Sequence, residues 1–172
     1  MNENKIERQT FTYPFLFLII FRFGNIIITP LLVLYTIPLV VLLDENIILA
    51  FPLLVNLLII YFLNRHYFNL YKILPYRIEA DDEKIICTDF FLSKKEVIIY
   101  HNDIKSLSGG IFGNKISGLM KIFDGKNNVS IGFYQRLNNS SKLATILLSK
   151  VNRDIYEHVL EKIKSRKGKV IK

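Results

Sequence analysis

The sequence predicts a membrane α-helical hairpin followed by an α+β domain, a small antiparallel roll or barrel that ends in a helix. Three observations predict it. Residues 11–63 are almost unbroken hydrocarbon, interrupted by one acidic knot, Asp44-Glu45-Asn46. From Pro75 the apolar pattern takes a period of two, and beyond Ser140 it takes three- and four-residue intervals. These are the repeats of a half-buried strand and of an amphipathic helix.

The hairpin comes first. Ile26 to Leu43 is 18 residues without a charge, and Ile47 to Leu63 is 17. At about 1.5 Å of rise per helical residue the first run covers roughly 27 Å, close to the ~30 Å hydrocarbon thickness of a bilayer. A domain of this size cannot enclose two helices that are apolar on every side. Phe11 to Gly24 is also apolar, but it contains Pro14, Arg22 and then Gly24-Asn25. The sequence therefore predicts a break near Gly24, with residues 11–24 inclined or lying at the interface and Arg22 reaching toward headgroups. Met1 to Thr10 is polar and is expected to be disordered or to lie at the surface. The expected division is residues 1–72 for the N-terminal segment and hairpin, with spans at 26–43 and 47–63, and residues 73–172 for the domain. The first apolar run is too long for a cleaved signal peptide and is followed at once by a second span.

Charge divides at the same place. Residues 1–63 hold three Lys and Arg against four Asp and Glu; residues 64–172 hold 20 against 11, which accounts for the net charge of +8. Lys5, Arg8 and Arg22 precede the first span, Arg65, Lys72 and Arg77 follow the second, and the connecting turn has no basic residue. The positive-inside rule then places both termini in the cytoplasm of a multi-pass protein of the cell inner membrane. Tyr61, Phe62, Tyr67, Phe68 and Tyr71 gather at the second exit as an aromatic belt does. The spans contain no Asp, Glu, Lys or Arg at depth, so an ion or proton relay has no residues to work with. Asn25 and Asn56 are candidate interhelical polar contacts, each worth roughly 0.6–2 kcal/mol.

In the domain, the alternating segments are Tyr76 to Glu79, Lys84 to Thr88, Glu96 to Tyr100, Ile104 to Leu107, Leu119 to Phe123 and Val129 to Phe133. Asp124-Gly125-Lys126-Asn127-Asn128 reads as a hairpin turn between the last two. Six short strands at close spacing indicate a small antiparallel barrel or sandwich. Two helices follow, the first started by Asn138-Asn139-Ser140-Ser141 and the second by an Asp154/Glu157 capping box.

Tyr76-Arg77-Ile78, Val97 to Tyr100 with Asp103-Ile104, the hairpin of Gly118 to Phe123 with Val129 to Phe133, and the Leu143/Ile146/Leu147 helix together resemble the bacterial PH-like membrane proteins. In that family a pleckstrin-homology-type β-roll sits on the cytoplasmic side of a pair of transmembrane helices. The resemblance covers residues 73–165 for the domain and implies a fold and a place, without a catalytic residue set. Two short terminal helices depart from the family's single long one, and an OB-type barrel is the rival fold.

Chemistry is sparse. His66, His101 and His158 stand far apart and Cys87 is alone, so neither a metal set nor an intrachain disulfide is expected. Cys87, within Ile85-Ile86-Cys87-Thr88, reads as a small core residue of a strand. No Ser or Cys nucleophile is placed with a base, and no cofactor motif occurs; the chain is expected not to be an enzyme. The Gly109-to-Gly118 loop lacks the Lys-Ser/Thr ending of a phosphate loop and reads as turn chemistry, with Lys115 and an Ile111-Phe112 tip as a headgroup-contact alternative. Asp81-Asp82-Glu83 reads as a solvated turn. Lys162, Lys164, Arg166, Lys167, Lys169 and Lys172 place six cations in eleven residues. Near an anionic leaflet each contributes about 1 kcal/mol; the plain alternative is a solvated helix end whose cations suit the helix dipole. Few aromatics interleave with them, which argues against nucleic acid. The expected partners are the lipid bilayer, anionic lipid headgroups and an unidentified protein, with a homo-oligomer left open. The expected function is a membrane-anchored binding module. A structural subunit of a larger membrane complex and a small immunity or stress protein are the alternatives.

Overall fold

The computed structural model describes residues 7–113, 115 and 118–170, the last five as backbone only. The chain divides into two compact units, residues 16–72 and residues 1–15 with 73–172.

The first unit is a pair of helices, α1 (Phe15–Val41) and α2 (Ala50–Ile73), joined by a tight turn and a 3₁₀ segment at Ile47–Leu49. Asn46 caps that segment, its Oδ1 accepting the Ile48 N–H at 3.0 Å. Both helices are long and apolar enough to cross a membrane. Their outer faces are hydrocarbon without cover: Phe15, Ile47, Ile48 and Phe51 are among the most exposed side chains. α1 runs unbroken through Gly24-Asn25, which corrects the expected break. The reason lies across the pair. A Cβ at Gly24 would collide with the Tyr67 hydroxyl, so glycine serves close helix approach here, a common use in apolar helix pairs. Pro30 and Pro38 are likewise carried inside α1. Pro52 falls in the first turn of α2, where a missing N–H costs nothing. The helices reach 15–41 and 50–73, past the expected spans at their outer ends and short of them at the turn.

The second unit holds two antiparallel sheets. The first has strand order β1-β2-β3-β4, with β1 Gln9–Thr12, β2 Pro75–Ala80, β3 Lys84–Phe90 and β4 Val97–Tyr100. The second is β5 (Ile104–Ser108), β6 (Leu119–Asp124) and β7 (Val129–Tyr134), in that order. Strand β1 was not expected: Gln9 and Thr10, from the polar start, and Phe11 and Thr12, from the segment read as inclined or interfacial, pair with β2, Gln9 against Ala80 and Thr12 against Arg77. The chain thus leaves the first sheet for the helix pair and returns to the neighbouring strand. Alternation along each strand buries one face, including Ile78, Ala80, Ile85, Cys87 and Ile99 in the first sheet and Met120, Ile122, Ile131 and Phe133 in the second. Tyr13, just past β1, ties the sheets together: its buried Oη accepts the Tyr134 N–H at 2.9 Å, and the Thr12 carbonyl accepts the Asn138 N–H at 2.9 Å.

The β6–β7 turn is built by Asp124, whose fully buried carboxylate accepts the N–H groups of Lys126 (2.8 Å) and Asn127 (3.2 Å) and the Asn127 Nδ2 (2.7 Å). Asn128 completes it at φ 54°, a left-handed position that Asn tolerates. Two helices close the chain, α3 (Ser140–Lys150) and α4 (Arg153–Val170). α3 buries Leu143, Ile146 and Leu147, and α4 packs on β5 and the 3₁₀ turn at Gly110–Gly113 with Val159 fully buried. The expected capping box is not formed. Asp154 lies inside the first turn of α4, and Glu157 accepts from Arg153 Nε at 2.7 Å.

Candidate functional site

Each unit holds one group of polar residues that packing alone does not require. Between α1 and α2 the polar side chains face one another. Asn25 Nδ2 donates to Asn64 Oδ1 at 3.0 Å, Asn64 Nδ2 donates to Thr29 Oγ1 at 3.2 Å, and Thr29 donates back to Asn25 Oδ1 at 3.0 Å. The result is a closed ring in which every member both gives and accepts. A second contact lies nearer the turn: Asn56 Nδ2 donates to Thr36 Oγ1 at 2.7 Å and to the Leu32 carbonyl at 3.1 Å. Asn25 and Asn56 therefore belong to separate networks. Toward the other end, Tyr67 donates to the Ile20 carbonyl at 3.3 Å and Tyr71 to the Arg22 carbonyl at 3.2 Å. These two tyrosines, read from sequence as interface anchors, bond to α1.

The sequence reading missed Asn64, because it stood one residue past the predicted span and was counted with the exit. Its signal was available. Asn25 and Asn64 stand at almost equal distances from the Asp44-Glu45-Asn46 turn, which is what facing positions of an antiparallel hairpin require.

In the β domain the polar group lies at the β2–β3 turn. Asp81, expected to face water, accepts the Glu83 and Lys84 N–H groups, both at 2.9 Å, and lies 3.8 Å from Arg8 Nε. Asp82 pairs with Lys150 of α3 at 2.7 Å. His101 is buried; its Nε2 lies 2.9 Å from the Asp81 carbonyl, which makes Nε2 the protonated nitrogen and leaves Nδ1 without a hydrogen-bond partner among the described residues. The Asp81-Asp82-Glu83 turn is thus a structural one that joins Arg8, next to β1, with β3 and α3.

Burial raises the Asp81 pKa, but the Glu83 and Lys84 N–H groups and the nearby Arg8 charge outweigh it, so the carboxyl titrates below its ordinary range. A depressed folded value means a stabilisation that is present above the unfolded carboxylate pKa, about 4, and lost as pH falls through the folded one. Asp81→Ala is expected to cost about 0.5–1.5 kcal/mol at neutral pH by removing the acceptor of two turn N–H groups that water reaches in part. Asp81→Asn is expected to cost less, and its deficit relative to wild type should close on acidification below about pH 4. Chemical denaturation across pH checks both.

The candidate surface cations fare unevenly. Lys115 is exposed, and its N–H bonds to the Gly110 carbonyl at 2.9 Å. Lys164 is exposed and Lys162 half-buried on α4. The side chains of Arg166, Lys167 and Lys169, and the whole of Lys172, lie outside the described residues, as do Asn114 in the loop and Lys5. The Ile111-Phe112 tip is corrected. Phe112 is fully buried, edge-on to Phe133 with ring centroids 6.5 Å apart, and is not available to a headgroup. Gly109 and Gly110 hold φ of 70° and 47° and press against Leu119 and Met120, where a Cβ would clash. Their freedom is used by the turn.

Cys87 is fully buried, and burial pushes its thiol up to about 12, which leaves almost no thiolate at neutral pH. No group of three metal-ligating side chains converges among the described residues. No protein-family model, curated protein or solved structure matches this chain.

Proposed function

We propose that this chain is a membrane-anchored binding module without catalytic activity, with a PH-like domain held at the cytoplasmic face of a bacterial inner membrane by a two-span hairpin. The observation that carries the reading is the distribution of polarity in the helix pair. Asn25, Thr29 and Thr36 of α1 and Asn56 and Asn64 of α2 bond to one another or to helix carbonyls, while the outward faces are largely hydrocarbon. In water such a surface would be an aggregation site, far beyond the apolar patches of soluble monomers. In lipid it is the expected surface. Arg22 and Arg65 lie toward the helix ends, where their long side chains reach headgroups.

Two antiparallel sheets with a C-terminal helical segment support the PH-like reading, and β1 adds a strand to the six expected. The β domain offers recognition surface in place of a reaction centre, and the basic end of α4 is suited to an anionic leaflet or an acidic protein. The accessory-subunit reading needs partner helices. The hairpin's intramembrane Asn residues are already engaged within the pair, which favours a self-sufficient anchor.

The test uses the β domain with its first strand kept, residues 7–13 joined by a short flexible linker to residues 74–172. Co-sedimentation with vesicles is expected to require anionic lipid and to weaken as salt rises. Equal binding to neutral and anionic vesicles removes the anionic headgroup as partner, and binding to neither leaves a protein partner to be sought by crosslinking in the native membrane.

A further inference from the structure

The β3–β4 connection is a tight turn of unusual composition. Ser93 N–H donates to the Phe90 carbonyl at 3.2 Å, which puts Phe91 and Leu92 at its two central positions. Turn chemistry favours Gly, Asn, Asp or Pro there. Leu92 instead holds φ 51°, a left-handed conformation that branched side chains avoid, and is 88% exposed, the most exposed large hydrophobic in the chain among the described residues. Nothing in the fold requires leucine at this point.

The register says where the turn lies. Pro75, the first residue of β2, pairs with Phe90, and Thr12, the last residue of β1, pairs with Arg77. Ile73 ends α2 and Phe15 begins α1. Phe90, which opens the turn, therefore stands one strand spacing, about 4.8 Å, from Pro75, two residues after α2 ends in the sequence. The Asp81-Asp82-Glu83 turn lies at the opposite end of the same strands. The connection carries Lys94 and Lys95 against Glu96, a net charge of +1, with Asp89 at the end of β3 beside it.

We propose that the Phe91–Leu92 tip inserts into the interfacial layer of the bilayer that holds the hairpin, a third attachment that fixes how the β domain stands on the membrane. This rests on the reading of α1 and α2 as spans. An exposed Leu92 beside a half-buried Phe91 is too little to recruit a free domain, but a tether close by in the chain supplies the local concentration that makes a weak contact persist. Its driving force is burial of hydrocarbon, so it is insensitive to salt, unlike attraction through the basic end of α4.

Single cysteines at Leu92, at Glu83 and at Ile59 in α2, each carrying an environment-sensitive fluorophore, test it in the full chain reconstituted in nanodiscs with nitroxide-labelled lipids. Buried Cys87 stays unlabelled in the folded protein. Quenching at 92 is expected to exceed that at 83 severalfold, to come mostly from shallow acyl positions about 5–10 Å below the headgroups, and to persist at high salt. With the label at Lys94, Leu92→Asn keeps a left-handed residue and is expected to bring quenching down to the level at 83. Strong quenching at 59 with none at 92, or a signal at 94 indifferent to Leu92→Asn, or loss at high salt, overturns the insertion while leaving the spans in place. No quenching at 59 overturns the spans and the insertion together.

Discussion

Residues 73–172 expressed without the segment that precedes the hairpin are expected to aggregate, and restoring residues 7–13 through a short linker is expected to recover a folded monomer. The reason is strand β1. It pairs four residues with β2, and it brings Phe11 and Tyr13, both almost fully buried, into the domain. Removing an aromatic side chain from a core costs about 3–5 kcal/mol, so losing two approaches the whole 5–15 kcal/mol that holds a domain together. The loss also opens the edge of β2 along its length, a template for pairing with other chains. The Asn138 and Tyr134 N–H groups lose their partners as well. Size-exclusion chromatography and urea unfolding of the two proteins check the expectation. A cooperative, monomeric 73–172 fragment would show that β1 is an accessory strand.

The second large effect is expected from Phe133→Ala. Phe133 is fully buried near the end of β7 and meets Phe112 edge-on. Phe112 comes from the 3₁₀ turn on which α4 packs, so the cavity would open where the second sheet and the C-terminal helix meet. The expected cost is about 3–5 kcal/mol. Phe133→Leu refills most of the volume and should cost clearly less. Urea denaturation of the linked domain gives the comparison, and equal losses for the two variants would mean that the site collapses around either side chain.

What could be read from the sequence followed the range of the interactions. The β6–β7 hairpin was legible from Leu119 to Phe133, because Asp124 to Asn128 spells its own turn and both strands alternate beside it. The two long apolar helices were legible from composition alone. Strand β1 was not. Gln9-Thr10-Phe11-Thr12 is short, and its partner lies beyond the entire hairpin, so no local signal joins them. Gly24-Asn25 carried a real signal with an ambiguous meaning. Glycine followed by asparagine ends helices in water, yet here the first admits Tyr67 and the second bonds Asn64.

Loop chemistry was ambiguous in the same way. Ile111-Phe112 looked like an exposed tip because glycines surround it, but Gly109 and Gly110 turn the backbone so that Phe112 enters the core. Phe91-Leu92 sat unnoticed between two strands, since only its backbone conformation and exposure distinguish it from strand hydrocarbon. For the polar pairs, Asn25 and Asn56 stood out as isolated polar residues. Their partners depend on how the two helices are registered, which composition does not encode.

The central claim is that α1 and α2 cross the bilayer and return. Labelling with a membrane-impermeant thiol reagent tests it directly, using Glu45→Cys in the connecting turn and Glu83→Cys in the β domain of the full chain, in intact cells and after lysis. Two crossings predict that position 45 reacts in intact cells while position 83 reacts only after lysis. Reaction of both positions, or of neither, before lysis would place them on one side of the membrane and contradict the account.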